Sequence, residues 1–462
     1  MSPKPQYDVT ILGAGITGLI IGYLLKKKGL NPVILEKQDR VGGSVLTLKQ
    51  DGFLIDAGPN STLETSPRIQ ELIGDLQLSD EKIYANPVSN KRYIVRKSRL
   101  NALPMSPPAF LKTKLFSFPA KLRLFMEPFI SASDPQLDES LADFVRRRLG
   151  REFLDYAIDP FVSGVYAGVP DKLSVKAAFP KLYALEQNYG SILKGAIKGK
   201  KERAKRQEVS KSEAKMFSFR SGMDILTDTL AKKLDGHIKL NCIVSNIVKS
   251  DDLIETEIIH DDKKEKISSK TIALAIPAYE AAELIKPLDQ ALSESLQSIE
   301  YPPVAMVFFG YNSKESIQRP LDGFGFLVPK KENRGILGTI WSSSIFENRA
   351  PGDGVALTTF VGGMRQPENV KLEDEYLKEL VFNDLNDLIG LHKEPDVVII
   401  KKWMKAIPQY QQGHLNIISK VEKFEKEQRN IFLTANYRGG IALGDCIKNA
   451  FDYVDVIEKS LT

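Results

Sequence analysis

The sequence predicts an α/β protein whose parallel sheet is assembled from distant parts of the chain. Three observations predict it: a strand, glycine turn, helix and strand in succession near residue 1, a matching strand, glycine turn and helix near residue 460, and a series of short β-rich runs between them. Length and composition agree with a folded protein. The 462 residues allow about two or three domains. A content of 42% apolar and 27% charged residues excludes a disordered chain, a collagen-like rod and a polytopic membrane protein. Cys242 and Cys446 are the two cysteines, too few for a disulfide framework and without the CxxC spacing of a structural zinc site. A reducing, cytoplasmic setting is expected. The formal charge of +5, from 64 basic and 59 acidic residues, is too mild for nucleic acid and compatible with an anionic substrate or an acidic lipid surface.

Residues 9–25 form a run of 17 without a charge, near the lower limit for a bilayer span, but glycines interrupt it. Tyr7, Asp8, Val9, Thr10, Ile11 and Leu12 read as a short buried strand. Gly13, Gly15 and Gly18 follow as GxGxxG, and 19–28 reads as a helix ending at Gly29. A second strand over 31–35 ends in Glu36, 18 residues beyond Gly18, the acid position of a Rossmann-like dinucleotide-binding unit. Gly13 permits the turn, Gly15 lets the backbone approach a pyrophosphate, and Gly18 allows close packing of helix on strand. The helix N-terminus offers N–H groups to the anion. Glu36 is expected to accept from ribose hydroxyls, and Ala14, Ile16, Thr17 and Lys37 complete this predicted nucleotide site.

Next come Arg40-Val41-Gly42-Gly43-Ser44, a hairpin-like segment over 45–55, and Asp56-Ala57-Gly58-Pro59-Asn60. Gly42-Gly43 alone reads as a β-turn. In series with the first motif, the run resembles the second fingerprint of the flavoprotein family that includes amine oxidases, phytoene desaturases and protoporphyrinogen oxidases. The resemblance implies non-covalent FAD, with Gly42, Gly43 and Ser44 against its diphosphate and Ala57, Gly58, Pro59 and Asn60 near the isoalloxazine ring.

The far end supplies the matching half. Ile431-Phe432-Leu433-Thr434-Ala435 reads as a buried strand, and Tyr437 to Asp445, with Gly439, Gly440 and Gly444, leads into a helix over 446–460. Such a turn aims N–H groups at a ligand. The resemblance makes Ile441, Ala442 and Leu443 flavin contacts, adds Trp403 to the cofactor site, and gives the backbone of Val244 to the adenine. From residue type alone, Val244 is equally a core position. Cys446 lies after the turn, where covalent flavin attachment is not expected.

Between the ends, 218–234 reads as a turn into an amphipathic helix, 238–248 as a strand, and 271–277 as a further strand by resemblance. The runs 301–311, 324–329, 335–342 and 355–362 suggest a second, antiparallel sheet. Residues 138–230 read as mostly helical. Within them, 198–206 holds four lysines and two arginines against one acid, the pattern of a solvated face or linker.

The middle segments narrow the resemblance. Pro160-Phe161-Val162-Ser163-Gly164-Val165-Tyr166-Ala167-Gly168, Leu337-Gly338-Thr339-Ile340-Trp341-Ser342-Ser343, and Ala406-Ile407-Pro408-Gln409-Tyr410 with Gly413-His414 resemble the protoporphyrinogen oxidases in particular, along essentially the whole chain. The implied reaction takes six hydrogens from a porphyrinogen in three flavin cycles, with oxygen or a quinone as acceptor. The flavin carries the chemistry, so no catalytic side chain is assigned, and the protein supplies orientation and a shielded pocket. No metal-ligand cluster is visible; His237, His260, His392 and His414 are dispersed. By resemblance Arg92 anchors a substrate carboxylate, Leu327 and Trp341 line the macrocycle pocket, and Gly168 brings backbone close to the ring. Coproporphyrinogen III is the alternative substrate, with an amine oxidase or a carotenoid desaturase as more distant alternatives.

The predicted organisation is an FAD-binding domain over 1–85, 216–290 and 400–462, a substrate domain over 86–100 and 291–399, and a helical, membrane-facing or lid domain over 101–215. Residues 100–130 mix apolar side chains with Lys112, Lys114, Lys121 and Arg123, a pattern that suits peripheral contact with the inner face of a membrane and equally a helix packed on the core. A homodimer is compatible with the sequence.

Overall fold

The computed structural model describes residues 5–205, 214–250 and 253–461, with the side chains of 199–205 outside the description. The side chains of the basic run beyond Lys198, and all of residue 206, therefore lie outside the description. The chain folds as a mixed α/β protein.

Its first sheet has the strands Ile238–Lys239, Pro32–Leu35, Tyr7–Leu12 and Lys263–Leu274 side by side, with Ile431–Leu433 on the far side of the last. These pairings are all parallel. The sheet is thus closed by segments from the beginning, middle and end of the chain. The strand Lys263–Leu274 does two jobs. Its second half joins the parallel sheet, while its first half pairs antiparallel with Ile254–His260, which in turn pairs with Cys242–Lys249.

The expected strand over 238–248 is broken in two because Asn241 sits at φ 50°, a left-handed backbone that cannot continue a strand. The expected helix over 138–230 is interrupted by the strand Met216–Phe219, which pairs with Thr62–Leu63 and Lys82–Tyr84. Helix Ile16–Lys27 begins three residues earlier than expected and packs against helix Leu443–Leu461. Their apolar faces, with Leu19, Ile20, Leu24, Ile447, Phe451 and Val454, form one buried cluster.

The second sheet runs in the order Val397–Trp403, Val304–Tyr311, Val355–Gly362, Ile336–Trp341, Gly325–Leu327, Tyr93–Arg96 and Arg99–Ala102. Helix Asp374–Ile389 covers one face, burying Leu377, Val381 and Leu385 against Val307, Phe309 and Leu357. On the opposite face Phe53 and Ile55 of the hairpin Thr47–Gln50/Phe53–Asp56 pack on Met306, Phe308 and Ala356. That contact brings the end of the second glycine fingerprint onto the second sheet.

Helices Leu141–Arg148, Asp159–Tyr166, Pro180–Tyr189 and Ile192–Lys205 form the helical part of the chain. It is locked by charge. Arg148 is fully buried and donates to both Glu127 and Glu186, themselves fully buried, while Arg147 donates to Glu139 at 2.7 Å and Glu186 at 2.8 Å. Despite burial, these guanidinium groups hold the Glu186 carboxyl down at about 2.

Candidate active site

The site begins where strand Tyr7–Leu12 ends. Gly13 takes φ 96°, and a side chain on Gly18 would be driven into the Gly13 carbonyl. At Gly15 a Cβ would meet nothing within 4 Å, so the backbone faces open space while its neighbours are packed. Helix Ile16–Lys27 starts there with Gly15 at its N-cap and no side chain capping it. The N–H groups of Ile16, Thr17 and Gly18 thus make a cradle for an anion.

Glu36 fixes this loop. Its carboxylate accepts from Ala14 N at 2.7 Å and from Gln38 N at 2.9 Å, and each oxygen retains a lone pair for a hydroxyl. Lys37 turns outward into an ion pair with Glu280. Gly42 N donates to Ala14 O at 2.8 Å, which lays the Gly42-Gly43 turn beside Gly15. Arg40, read in the sequence only as part of a motif, holds that turn: its guanidinium donates to Gly43 O at 2.6 Å and to Val41 O at 3.0 Å. Ser44 lies against the next segment so closely that a side chain on Gly58 would run into the Ser44 carbonyl.

Ala57, Gly58, Pro59 and Asn60 are carried on the second sheet. Trp403 Nε1 donates to Ala57 O at 2.9 Å. Asp56 is buried 3.3 Å from Arg349 and accepts from Thr47 Oγ1 at 2.7 Å and Met223 N at 2.9 Å. Burial pushes its carboxyl above the usual value, against the pull of Arg349. Arg349 stood outside the sequence expectations, because its role depends on a partner nearly 300 residues away.

At the other end, Gly439 and Gly440 take φ 77° and 127°, and Ile441 and Ala442 lead into the helix that starts at Leu443. Cys446 is buried in its first turn beside Thr17, and burial pushes its thiol up to about 12. Val244 lies at a register shift between Val244 and Asn246, where a bulge frees backbone groups from the ladder. The open backbone at Gly15, the uncapped helix start and the Glu36 carboxylate together fit the phosphates and ribose of a dinucleotide.

The substrate residues divide. Arg92 precedes strand Tyr93–Arg96, its guanidinium 5.3 Å from the Phe324 ring centroid and without an ion-pair partner among the described residues. Leu327 pairs with Ile94 in the sheet and packs with Leu115 and Phe116. Gly164 of helix Asp159–Tyr166 abuts Leu327, leaving no room for a Cβ.

Two expectations are corrected. Trp341 is 0% exposed and packs between Tyr93 and Phe326 on the face covered by helix Asp374–Ile389. Side chains alternate along a strand, so its neighbour Ile340 points to the face where Asn60, Ser342 and Thr358 lie. Gly168 is buried against Gln409, whose side chain would clash with a Cβ there and whose Nε2 donates to Tyr166 O at 2.7 Å. Packing on Gln409, not approach to a ring, accounts for that glycine. Among the described residues no group of three or more His, Cys, Asp or Glu side chains is placed to hold a metal ion.

Two glycine-lined helix starts converging on one sheet define a dinucleotide-binding fold. The family model for flavin-containing amine oxidoreductases matches residues 16–451. The chain is 34% identical over 479 aligned residues to a chloroplastic protoporphyrinogen oxidase of Nicotiana tabacum, covering 100% of this chain and 87% of that one. It is 28% identical to a coproporphyrinogen III oxidase of Bacillus subtilis, covering 95% of each. Among solved structures, a provisionally named protoporphyrinogen oxidase of Exiguobacterium sp. 255-15 matches with a TM-score of 0.84 and 26% identity, over 99% of this chain and 100% of that one. The chain belongs to the flavin-containing amine oxidoreductase family and, within it, to the protoporphyrinogen oxidases. It is an FAD-dependent oxidoreductase.

Proposed function

We propose that the chain oxidises protoporphyrinogen IX to protoporphyrin IX, removing six hydrogens in three two-electron rounds, and that Arg92 anchors a substrate propionate. The observation that carries this reading is the exposed Arg92 guanidinium, which lies over the Phe324 ring without an ion-pair partner among the described residues, at the start of the strand whose Ile94 pairs with Leu327. Arginine presents a planar pair of donors that matches a carboxylate. Bound FAD supplies the two-electron acceptor, which oxygen or a quinone then re-oxidises. The chain's own residues hold and shield: Gly13 to Gly18, Gly42 to Ser44 and Ile441 to Leu443 grip the cofactor, Glu36 takes the ribose, and Leu327 with Ile340 excludes water from the macrocycle. Aromatisation drives the reaction, so the site has little need of a general base.

In this reading 1–85, 216–290 and 400–462 hold FAD, 86–100 and 291–399 hold substrate, and 101–215 faces a membrane. Phe118 and Phe129 are 78% and 81% exposed, in the same stretch of chain as the exposed Lys112 and Lys114, which supports peripheral contact with anionic lipid. No helix among the described residues is long and apolar enough to cross a membrane.

Coproporphyrinogen III, with more propionates, would call for more free cations. The neighbouring Arg96 is engaged with Glu152 and the Leu115 carbonyl, which favours the less carboxylated substrate. The test is porphyrin fluorescence growing in with each porphyrinogen under air. Faster turnover of protoporphyrinogen IX supports the reading, and exclusive turnover of coproporphyrinogen III replaces it.

A further inference from the structure

We propose that Tyr410 is a positioning residue for the flavin, acting through the C-terminal glycine turn; the inference rests on the assignment of that turn to the cofactor site. Tyr410 is buried, and its hydroxyl uses both of its capacities on one short stretch of backbone. It donates to Asn436 O at 2.7 Å and accepts from Gly440 N at 2.9 Å. These two atoms bracket the turn between strand Ile431–Leu433 and helix Leu443–Leu461.

The ring is held as firmly as the hydroxyl. It stacks on His414 with centroids 4.2 Å apart and planes 12° apart. His414 Nε2 lies 2.9 Å from Tyr437 O, so with a carbonyl as its partner the nitrogen is the donor and the imidazole a third brace on the same turn.

The strap behind Tyr410 is anchored in the helical part of the chain. Ser174 N donates to Tyr410 O at 2.9 Å, and Gly413 N donates to Asp138 Oδ2 at 2.7 Å. The segment 409–414 therefore connects the helices to the turn. Gly439 and Gly440 occupy positive φ, a conformation that glycine adopts readily and does not itself enforce. The Tyr410 hydroxyl supplies that enforcement. Without it the part-buried Gly440 N–H and Asn436 carbonyl lose the one hydroxyl that joins them across the turn, a loss of two ordinary hydrogen bonds.

The test is Tyr410→Phe in the full-length holoenzyme, with Tyr453→Phe as comparison. Tyr453 donates to Leu433 O at 3.1 Å, a part-buried hydroxyl bond, like those of Tyr410, that leaves Gly440 untouched. For Tyr410→Phe the expected result is a rise in the FAD dissociation constant of about tenfold, on the order of 1.4 kcal/mol. A shifted flavin absorption band and midpoint potential are expected with it. Tyr453→Phe is expected to lower the melting temperature with both flavin signals unchanged. A Tyr410→Phe enzyme with wild-type FAD affinity, spectrum and potential overturns the proposal. Should that variant fail to accumulate, hydrogen exchange of the wild-type holoenzyme decides: protection of the Gly440 amide supports the bond, and free exchange overturns it. Gly15→Val separates the two levels, because FAD retained by Gly15→Val would remove the cofactor-site assignment itself.

Discussion

Arg365 donates to the Asp159 carboxylate at 2.7 Å, and the same oxygen accepts from Lys330 N at 2.8 Å. Arg365 also donates to Val328 O at 2.6 Å. One mostly buried ion pair therefore ties helix Asp159–Tyr166 to the end of strand Gly325–Leu327, where Gly164 meets Leu327. Removing the carboxylate with Asp159→Ala strands the guanidinium, and breaking a buried pair costs about 3–5 kcal/mol. Urea unfolding should show that loss as a lower midpoint at unchanged slope. A change below about 1 kcal/mol would mean that the pair is effectively solvated.

Gly15 and Gly18 separate cofactor binding from folding. A Cβ at Gly15 enters open space, whereas one at Gly18 strikes the Gly13 carbonyl. Gly15→Val should therefore yield a folded, colourless protein, and Gly18→Val should fail to fold. Far-UV circular dichroism and the flavin absorption of each purified variant check this. A yellow Gly15→Val would count against the nucleotide site.

Arg92→Ala should raise KM for the porphyrinogen by roughly tenfold to a hundredfold, the worth of about 1.5–3 kcal/mol for a hydrogen-bonded charge, with the flavin spectrum intact. Steady-state kinetics with an unchanged KM would remove Arg92 from the substrate site.

Acid should lower the stability of the protein across two pH windows. Burial lowers His414 from 6.5 to about 4, so the unfolded chain binds its proton first. The stability present above pH 6.5 is lost as pH falls toward about 4. Glu186, held at about 2 against an ordinary 4.5, contributes stability above pH 4.5 that is lost as pH falls through about 2. Melting temperature against pH should fall across both windows, and His414→Gln should flatten the first. An unaltered profile in that variant would show that the imidazole is already protonated without cost.

The nucleotide end of the site was legible because its signals are local. The spacing of Gly13, Gly15, Gly18 and Glu36 follows from the geometry of one strand, one turn and one helix. Residues placed by long-range pairing were not. Trp341 and Ile340 differ by one position, and a β-bulge between Ile336 and Gly338 lies in the same strand; only the paired sheet shows which side chain faces the site. Arg349 and Arg365 depend in the same way on carboxylates that the fold brings to them from elsewhere. Arg40 was in plain view, but its bonds run to carbonyls within its own turn, and no residue pattern marks that role.

The most direct measurement is anaerobic mixing of the purified holoenzyme with protoporphyrinogen IX and, separately, coproporphyrinogen III, following flavin absorbance. Rapid bleaching by protoporphyrinogen IX with porphyrin formed in step is the predicted result. Bleaching by coproporphyrinogen III alone, or by neither, would contradict the account.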